Sequence, residues 1–280
     1  MKVLMTKERI KIAIATLNST DCMQQNVDII SDLIAQGKKQ GAEIIFFPEN
    51  ALFLRIREGD LIPFLTYDSE ELNKLSQVAK ENDITVNVGS VAMEIEGKRF
   101  NSNLMITNEG KVTVAYNKIH LFDIQLNGDL VIRESDVFHH GYSPRVSEFN
   151  SWKIGHNICF DIRFSRLANF YYEADVDLLI YPAAFLPKTG EAHWHVLNRS
   201  RAIEGQCYVI SSAQGGQHIS SIDKMKYRET YGHSMVVDPW GKVLVDCEEL
   251  NSIVVLELTK EKINEVRRQI PVSQLKKEIN

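Results

Sequence analysis

The chain has 280 residues, 44% of them hydrophobic and 25% charged, the proportions of a folded globular protein and not of a disordered or fibrous one. Lys and Arg number 32 against 37 Asp and Glu, a formal net charge of -5, so no basic excess draws nucleic acid or an anionic membrane surface. The four cysteines, Cys22, Cys159, Cys207 and Cys247, stand far apart with no C-x-x-C pair, which argues against a disulfide framework and a structural zinc site.

No run of roughly 18 uncharged apolar residues exists to span a bilayer. The start, "MKVLMTKERIKIAIATLN", has its apolar run broken by Lys11 and lacks a signal-peptide core, so a cytoplasmic location is expected. Residues 10–18, "IKIAIATLN", read as a strand. A helix follows, with Val27, Ile30, Leu33 and Ile34 at helical spacing, Asp21 as its cap and Gly41 as its stop. "AEIIFFPEN" is a short apolar run stopped by Pro48, the pattern of a strand buried on both faces. "DSEELNKLSQVAKEND" is a second helix with Asp68 and Glu71 at capping-box spacing. Then come the strand "ITVNVGSVA" and a hairpin turned at residues 108–110.

The second half repeats this order. "WKIGHNICF" is a strand, "RFSRLANFYYEA" a helix, and "VDLLIYPAA" a buried strand stopped by Pro182 as the earlier one is by Pro48. "AHWHVLNRSRAIEGQ" is a helix, "CYVISSA" a strand, and "HSMVVDPWGKVLVD" a hairpin turned at residues 239–241. A tail from residue 259 adds a helix and a polar end. No Pro/Gly/Ser linker separates the halves. The expectation is one domain over residues 1–280, with two similar halves whose sheets face each other and whose helices lie outside.

In α/β sheets functional groups gather just beyond the carboxyl ends of strands. Glu49, Lys118 and Cys159 all stand at such ends. Each has a plainer reading: a segment cap, a solvated loop amine, a small buried hydrophobe. Together they make a consistent set. A cysteine at a strand-to-helix turn is expected to have a lowered pKa. A carboxylate can serve as base for the thiol and then for water. An ammonium can hold a tetrahedral oxyanion, with the Phe160 N–H as second donor. Arg163 is read first as an ion-pair partner of Asp161, with a substrate carboxylate as the alternative; Phe185 joins it as a candidate substrate contact. Arg199, Arg201 and Glu204 read as a solvated or interfacial face of one helix. A papain-type base at His156 or His233 is the rival for the chemistry, but His156 is expected on the sheet face opposite Cys159. "HWH" at residues 193–195 is a poor chelate on a helix, and no metal or cofactor is expected.

At these residues the chain resembles the carbon–nitrogen hydrolase (nitrilase-like) superfamily, through "FFPEN" around Glu49, "YNKIHLFD" around Lys118 and "NICFDIRF" around Cys159, in that order. "IRES" resembles the segment supplying that family's second active-site glutamate, here Glu134. The resemblance runs from about residue 10 to residue 271. It implies an αββα sandwich and metal-free hydrolysis of a small-molecule amide or nitrile through a thioester. It also implies a homodimer joined through helices of the Cys-bearing half, with the tail after residue 259 reaching the partner; the aromatics Phe170, Tyr171 and Tyr172 fit such a face. "EAHWHVLNRSRAIEGQCYVISSAQGG" is similar to the deaminated glutathione amidase and omega-amidase branch, whose substrates are amides of a five-carbon 2-oxo acid. The departures from that pattern are "IQLNGDL" at residues 124–130, the polar pair His156 and Asn157, and His195. They bear on pocket shape. A non-catalytic binding module is the alternative class, and the intact trio weighs against it.

Overall fold

The computed structural model of the chain describes residues 7–57, 59–126, 130–275 and 277. Two twisted sheets pack face to face. One runs Tyr227–Tyr231, Ala213–Ile219, Arg9–Leu17, Ile44–Phe46, Thr85–Ile95, Lys98–Ile106, Val112–Asn117, with Ser252–Thr259 antiparallel to Arg9–Leu17. The other runs Val243–Cys247, Ser234–Val237, Tyr208–Ser211, Leu178–Ile180, Trp152–His156, Arg145–Phe149.

The period-2 alternation of strands assigns the faces. Ile10, Ile12 and Ile14 point inward, meeting Trp152, Ile154, Leu178, Ile180 and Ile210 of the other sheet in a wholly buried seam. Ala13 and Ala15 point outward, where their small size admits the helix Met23–Lys39 through Val27, Ile30 and Ile34. The helix Glu70–Glu81 covers the same face. On the far side, Ser165–Glu173 and Pro187–Gly205 cover the second sheet through Leu167, Tyr171, Trp194 and Ala202. The result is the expected αββα sandwich.

The halves correspond strand for strand. Arg9–Leu17, Ile44–Phe46 and Thr85–Ile95 are mutually parallel, as are Trp152–His156, Leu178–Ile180 and Tyr208–Ser211, and each set continues into an antiparallel hairpin. One insertion breaks the match. After Ser211 the chain leaves the second sheet, and Ala213–Ile219 joins the first beside Thr16 and Leu17. The sequence "AQGGQHI" lacks the apolar alternation that would mark this strand. The strand Ser252–Thr259, an apolar β-branched run, is also absent from the expected elements.

Several expected details move. The first helix starts at Met23 with Cys22 at its cap, because Asp21 is turned to Ser220 Oγ and the Ser221 N–H. The second starts after Ser69 with no side-chain cap, since Asp68 is taken by Thr66. The strand before Cys159 ends at His156, and the cysteine opens a 3-10 turn, Cys159–Arg163. The C-terminal helix Lys260–Gln269 docks on its own chain through Ile263 and Val266, with Arg267 donating to the Val176 carbonyl. Tyr171 is fully buried and donates to the His156 carbonyl, while Phe170 is exposed. Residues 127–129 of the "IQLNGDL" departure lie outside the described residues. No helix among the described residues is long and apolar enough to cross a membrane.

Candidate active site

Three strand ends deliver the three reactive side chains. The run Ile44–Phe46 is halted by Pro48, and Glu49 follows at the open end. Gly89 of the adjacent strand makes this possible: a Cβ there would sit 1.9 Å from the Phe47 carbonyl oxygen and 2.5 Å from Pro182 Cβ. Only glycine lets the two sheets approach this closely. Lys118 follows Val112–Asn117, its N–H bonded to the Asn101 carbonyl at 2.9 Å. Cys159 has φ +48°, a left-handed conformation that costs a side-chain-bearing residue about 1–3 kcal/mol. The surroundings hold it there. The Cys159 N–H donates to the Pro182 carbonyl at 2.9 Å, and Asp161 Oδ2 accepts the Ile158 N–H at 3.0 Å. Arg201 Nε holds the Ile162 carbonyl at 3.0 Å.

The Lys118 ammonium lies between two carboxylates, 2.9 Å from Glu49 Oε1 and 2.8 Å from Glu134 Oε2. Asn101 Nδ2 ties the same two acids together, at 3.1 Å from Glu49 Oε1 and 2.8 Å from Glu134 Oε1. Glu49 Oε2 accepts the Ala184 N–H at 3.0 Å, and Glu134 Oε2 the Phe122 N–H at 2.7 Å. Glu49 and Lys118 are 3% and 2% exposed, so such charges persist only because every partner is present. Burial by itself would lower the lysine's pKa, but Glu134 and Glu49 outweigh it and hold the amine well above its ordinary value.

The thiol departs from expectation. Burial pushes the Cys159 pKa well above its usual value, and the neighbouring Glu49 adds to the rise, more than Lys118 and the Ala184 N–H offset. At neutral pH the resting group is therefore a thiol and not a thiolate. The lowered pKa expected from the helix-start position is absent: a five-residue 3-10 turn intervenes before the helix Ser165–Glu173.

These groups face a cleft partly open to solvent, with apolar walls from Phe53, Phe122, Phe160 and Phe185. Arg163 lines it too and does not pair with Asp161. Asp161 is fully occupied elsewhere: it accepts the Tyr116 hydroxyl at 2.9 Å, the His120 N–H at 3.0 Å and lies 2.7 Å from His120 Nδ1. Arg163 instead lies over the Phe185 ring at 5.4 Å and contacts His193 Nδ1 at 3.2 Å, and burial lowers its pKa. Arg201 is likewise not on a solvated face; it is buried, gripping the cysteine turn, with Glu204 beside it. His156 points between the sheets, 3.1 Å from Asn103 Oδ1 and 2.6 Å from Ser147 Oγ, and burial lowers its pKa to about 3. It stays neutral and away from the thiol, which removes it as a papain-type base. His233 bonds Asp246 instead.

Sequence reading missed Asn101, Asp161 as a hub, and the Ala184 N–H. One signal was readable. "FNSNLMI" places Asn101, Ser102 and Asn103 in succession in an apolar strand, and all three are buried. Consecutive polar residues on both faces of a core strand must find partners.

Residues 11–268 match the family model described as carbon-nitrogen hydrolase. Deaminated glutathione amidase of Rattus norvegicus is 34% identical over 271 residues, spanning 94% of this chain and 81% of that protein. Omega-amidase NIT2 of Homo sapiens is also 34% identical, over 273 residues and 95% of each protein. The crystal structure of Saccharomyces cerevisiae Nit3, a member of branch 10 of the nitrilase superfamily, superposes with a TM-score of 0.80 at 26% identity, over 96% of both chains. The chain therefore belongs to the carbon-nitrogen hydrolase family of the nitrilase superfamily and is a hydrolase of carbon–nitrogen bonds other than peptide bonds.

Proposed function

We propose that the protein is a cysteine amidase acting on a 2-oxoglutaryl amide, with deaminated glutathione preferred over 2-oxoglutaramate. The observation that carries it is the closed set of Glu49, Lys118, Glu134 and Cys159 facing a cleft that also holds Arg163.

Glu49 takes the proton of the Cys159 thiol as sulfur attacks the amide carbon. General-base assistance is required because burial keeps the resting thiol protonated. Lys118 has three N–H bonds, two of them committed to Glu49 and Glu134, so the third is available for the oxyanion. The Cys159 N–H is spent on Pro182, which leaves the Phe160 N–H as second donor. Collapse of the tetrahedral intermediate expels the amine, protonated by Glu49. Glu49 then activates water, which hydrolyses the thioester and frees the thiol. Glu134 fixes Lys118 and serves no proton-transfer role. The positive charge at the reacting centre comes from Lys118, so chelator leaves kcat unchanged.

Arg163 and Phe185 supply a cationic and an apolar wall suited to the carboxylate and carbon chain of a 2-oxo acid. The acyl group is common to both substrates, and the choice rests on the leaving group. A peptide leaving group adds contacts usable in the transition state, whereas ammonia adds none. The likeness of "RAIEGQCYVISSAQ" to the deaminated glutathione amidase branch favours the peptide. The test is kcat/KM for both substrates on one preparation. At least about tenfold preference for deaminated glutathione is expected, roughly 1.4 kcal/mol of transition-state stabilisation. A preference for 2-oxoglutaramate reassigns the protein to omega-amidase.

A cytoplasmic homodimer completes the reading. Exposed Phe170, Val196, Ile203 and Trp240 lie on the helices and hairpin of the Cys-bearing half and offer an apolar face. Light scattering at twice the chain mass, halved by Val196→Asp, is the expected result. A monomer at micromolar concentration overturns it.

A further inference from the structure

Away from the catalytic cleft, three side chains converge from three elements. His195 comes from the helix Pro187–Gly205, His233 from the link before strand Ser234–Val237, and Asp246 from strand Val243–Cys247. His195 Nε2 lies 2.8 Å from Asp246 Oδ2, and His233 Nδ1 lies 2.8 Å from Asp246 Oδ1. The donor atoms of all three fall within 4.8 Å of one another. None of the three lines the catalytic cleft.

We infer that His195, His233 and Asp246 form a binding site for a divalent transition-metal ion of the zinc type, distinct from the catalytic centre. Two imidazole nitrogens and a carboxylate make a donor set suited to zinc, cobalt or nickel, whereas magnesium and calcium take oxygen ligands. Donor atoms bound at about 2.0–2.2 Å to one ion stand roughly 3 Å apart, which matches the two histidine–carboxylate separations of 2.8 Å, while the two imidazole nitrogens, within 4.8 Å of each other, would close on the ion as it binds. His233 is set by a left-handed backbone, φ +60°, by its carbonyl accepting Trp194 Nε1 at 2.8 Å, and by its ring stacking on Tyr231 at 4.4 Å. Coordination through Nδ1 would leave the His233 Nε2–H directed toward solvent and Glu248, whose Oε2 lies 3.7 Å away, beyond hydrogen-bond length. The His195 and Asp246 side chains are 36% and 33% exposed, which gives the ion a path in and a place for water as its fourth ligand.

Metal here would clamp the hairpin onto the helix Pro187–Gly205. That helix also presents Trp194 to Phe185, at 4.7 Å between ring centres, and His193 to Arg163. The ion is thus structural, and its loss should lower stability more than chemistry.

The test uses untagged full-length protein carrying Cys159→Ala, so the active-site thiol cannot ligate. After EDTA dialysis, Zn2+ and Co2+ are titrated by calorimetry, with Tm followed in parallel. One ion per chain, with Kd at or below about 10 μM, and a rise in Tm are expected. Co2+ should give the visible bands of nitrogen and oxygen ligation without a thiolate charge-transfer band. His195→Ala and Asp246→Asn should each weaken binding at least about tenfold. If Asp246→Asn fails to fold, His195→Gln carries the test, since it keeps a donor toward Asp246 and removes the imidazole. No binding below about 1 mM, or binding unchanged in His195→Ala and His195→Gln, shows that the cluster is only a hydrogen-bonded clamp and overturns the proposal.

Discussion

The two halves share one plan and differ at the strand ends. In the first, the parallel strand stopped by Pro48 is followed by Glu49; in the second, the matching strand stopped by Pro182 is followed by Ala183 and Ala184. The same corner presents a carboxylate in one half and a backbone donor in the other, and they meet: the Ala184 N–H bonds Glu49 Oε2 at 3.0 Å. The first half supplies Glu49 and Lys118 but no thiol. The second supplies Cys159, Phe160 and Arg163 but no base. Other contacts lock the halves together at the site: Gly89 against Pro182, Tyr116 on Asp161, and Asn103 on His156. Duplicated architecture positions the ends, and unlike side chains at equivalent ends make the chemistry.

Changes at those ends should have the largest effects. Cys159→Ala is expected to lower kcat at least a thousandfold, Glu49→Gln by about 10²–10⁴ and Lys118→Arg by about 10²–10³, with folding retained. A variant of the second half's Ala184 cannot substitute for any of them, because it contributes only a backbone N–H. Quenched-flow assay of each purified variant checks this. Equal activity in Glu49→Gln would dissolve the division of labour between the halves.

The seam between the halves comes next. Gly89→Ala places a methyl against the Phe47 carbonyl and Pro182, so it should cost about 1–3 kcal/mol or more in urea unfolding and lower kcat together with stability. His156 sharpens the same seam through pH. Its folded pKa, about 3, lies below that of the unfolded chain, about 6.5. Between these values the unfolded state binds the extra proton, so this contribution is full above pH 6.5 and is lost as pH falls toward 3. From pH 7 to pH 5 it amounts to about 2 kcal/mol. His156→Gln should lose that much less than the parent over this range, while the inflections of its kcat/KM profile stay in place. A displaced inflection would return His156 to the chemistry. The smallest effect is expected for Tyr116→Phe, which removes one of Asp161's donors and leaves those of His120 and Ile158, and should cost about 0.5–1.5 kcal/mol.

What the sequence disclosed follows from range. Alternation in "IKIAIATLN" and the stops at Pro48 and Pro182 are local and physical, so the strands, the layers and the internal repeat were readable, and so were the three ends. Asn101 was not, because its role depends on Glu49 and Glu134, far away in the chain. The thiol pKa was misjudged for the same reason: burial and the Glu49 charge are properties of the assembled pocket, and they override the local helix-start effect. Arg163 looked paired with Asp161 two residues away, yet Asp161 is claimed by Tyr116 and His120 of the other half. The strand Ala213–Ile219 escaped because its partner, Arg9–Leu17, is at the opposite end of the sequence.

The central claim is an acyl-enzyme on Cys159, built by both halves. Partitioning by hydroxylamine tests it most directly. Amides sharing one 2-oxoglutaryl group but releasing ammonia, methylamine or cysteinylglycine are turned over with hydroxylamine present, and hydroxamate is measured against free acid. A common thioester predicts the same ratio for all three leaving groups, and neither product from Cys159→Ala. A ratio that changes with the leaving group, or hydrolysis surviving in Cys159→Ala, would contradict the account.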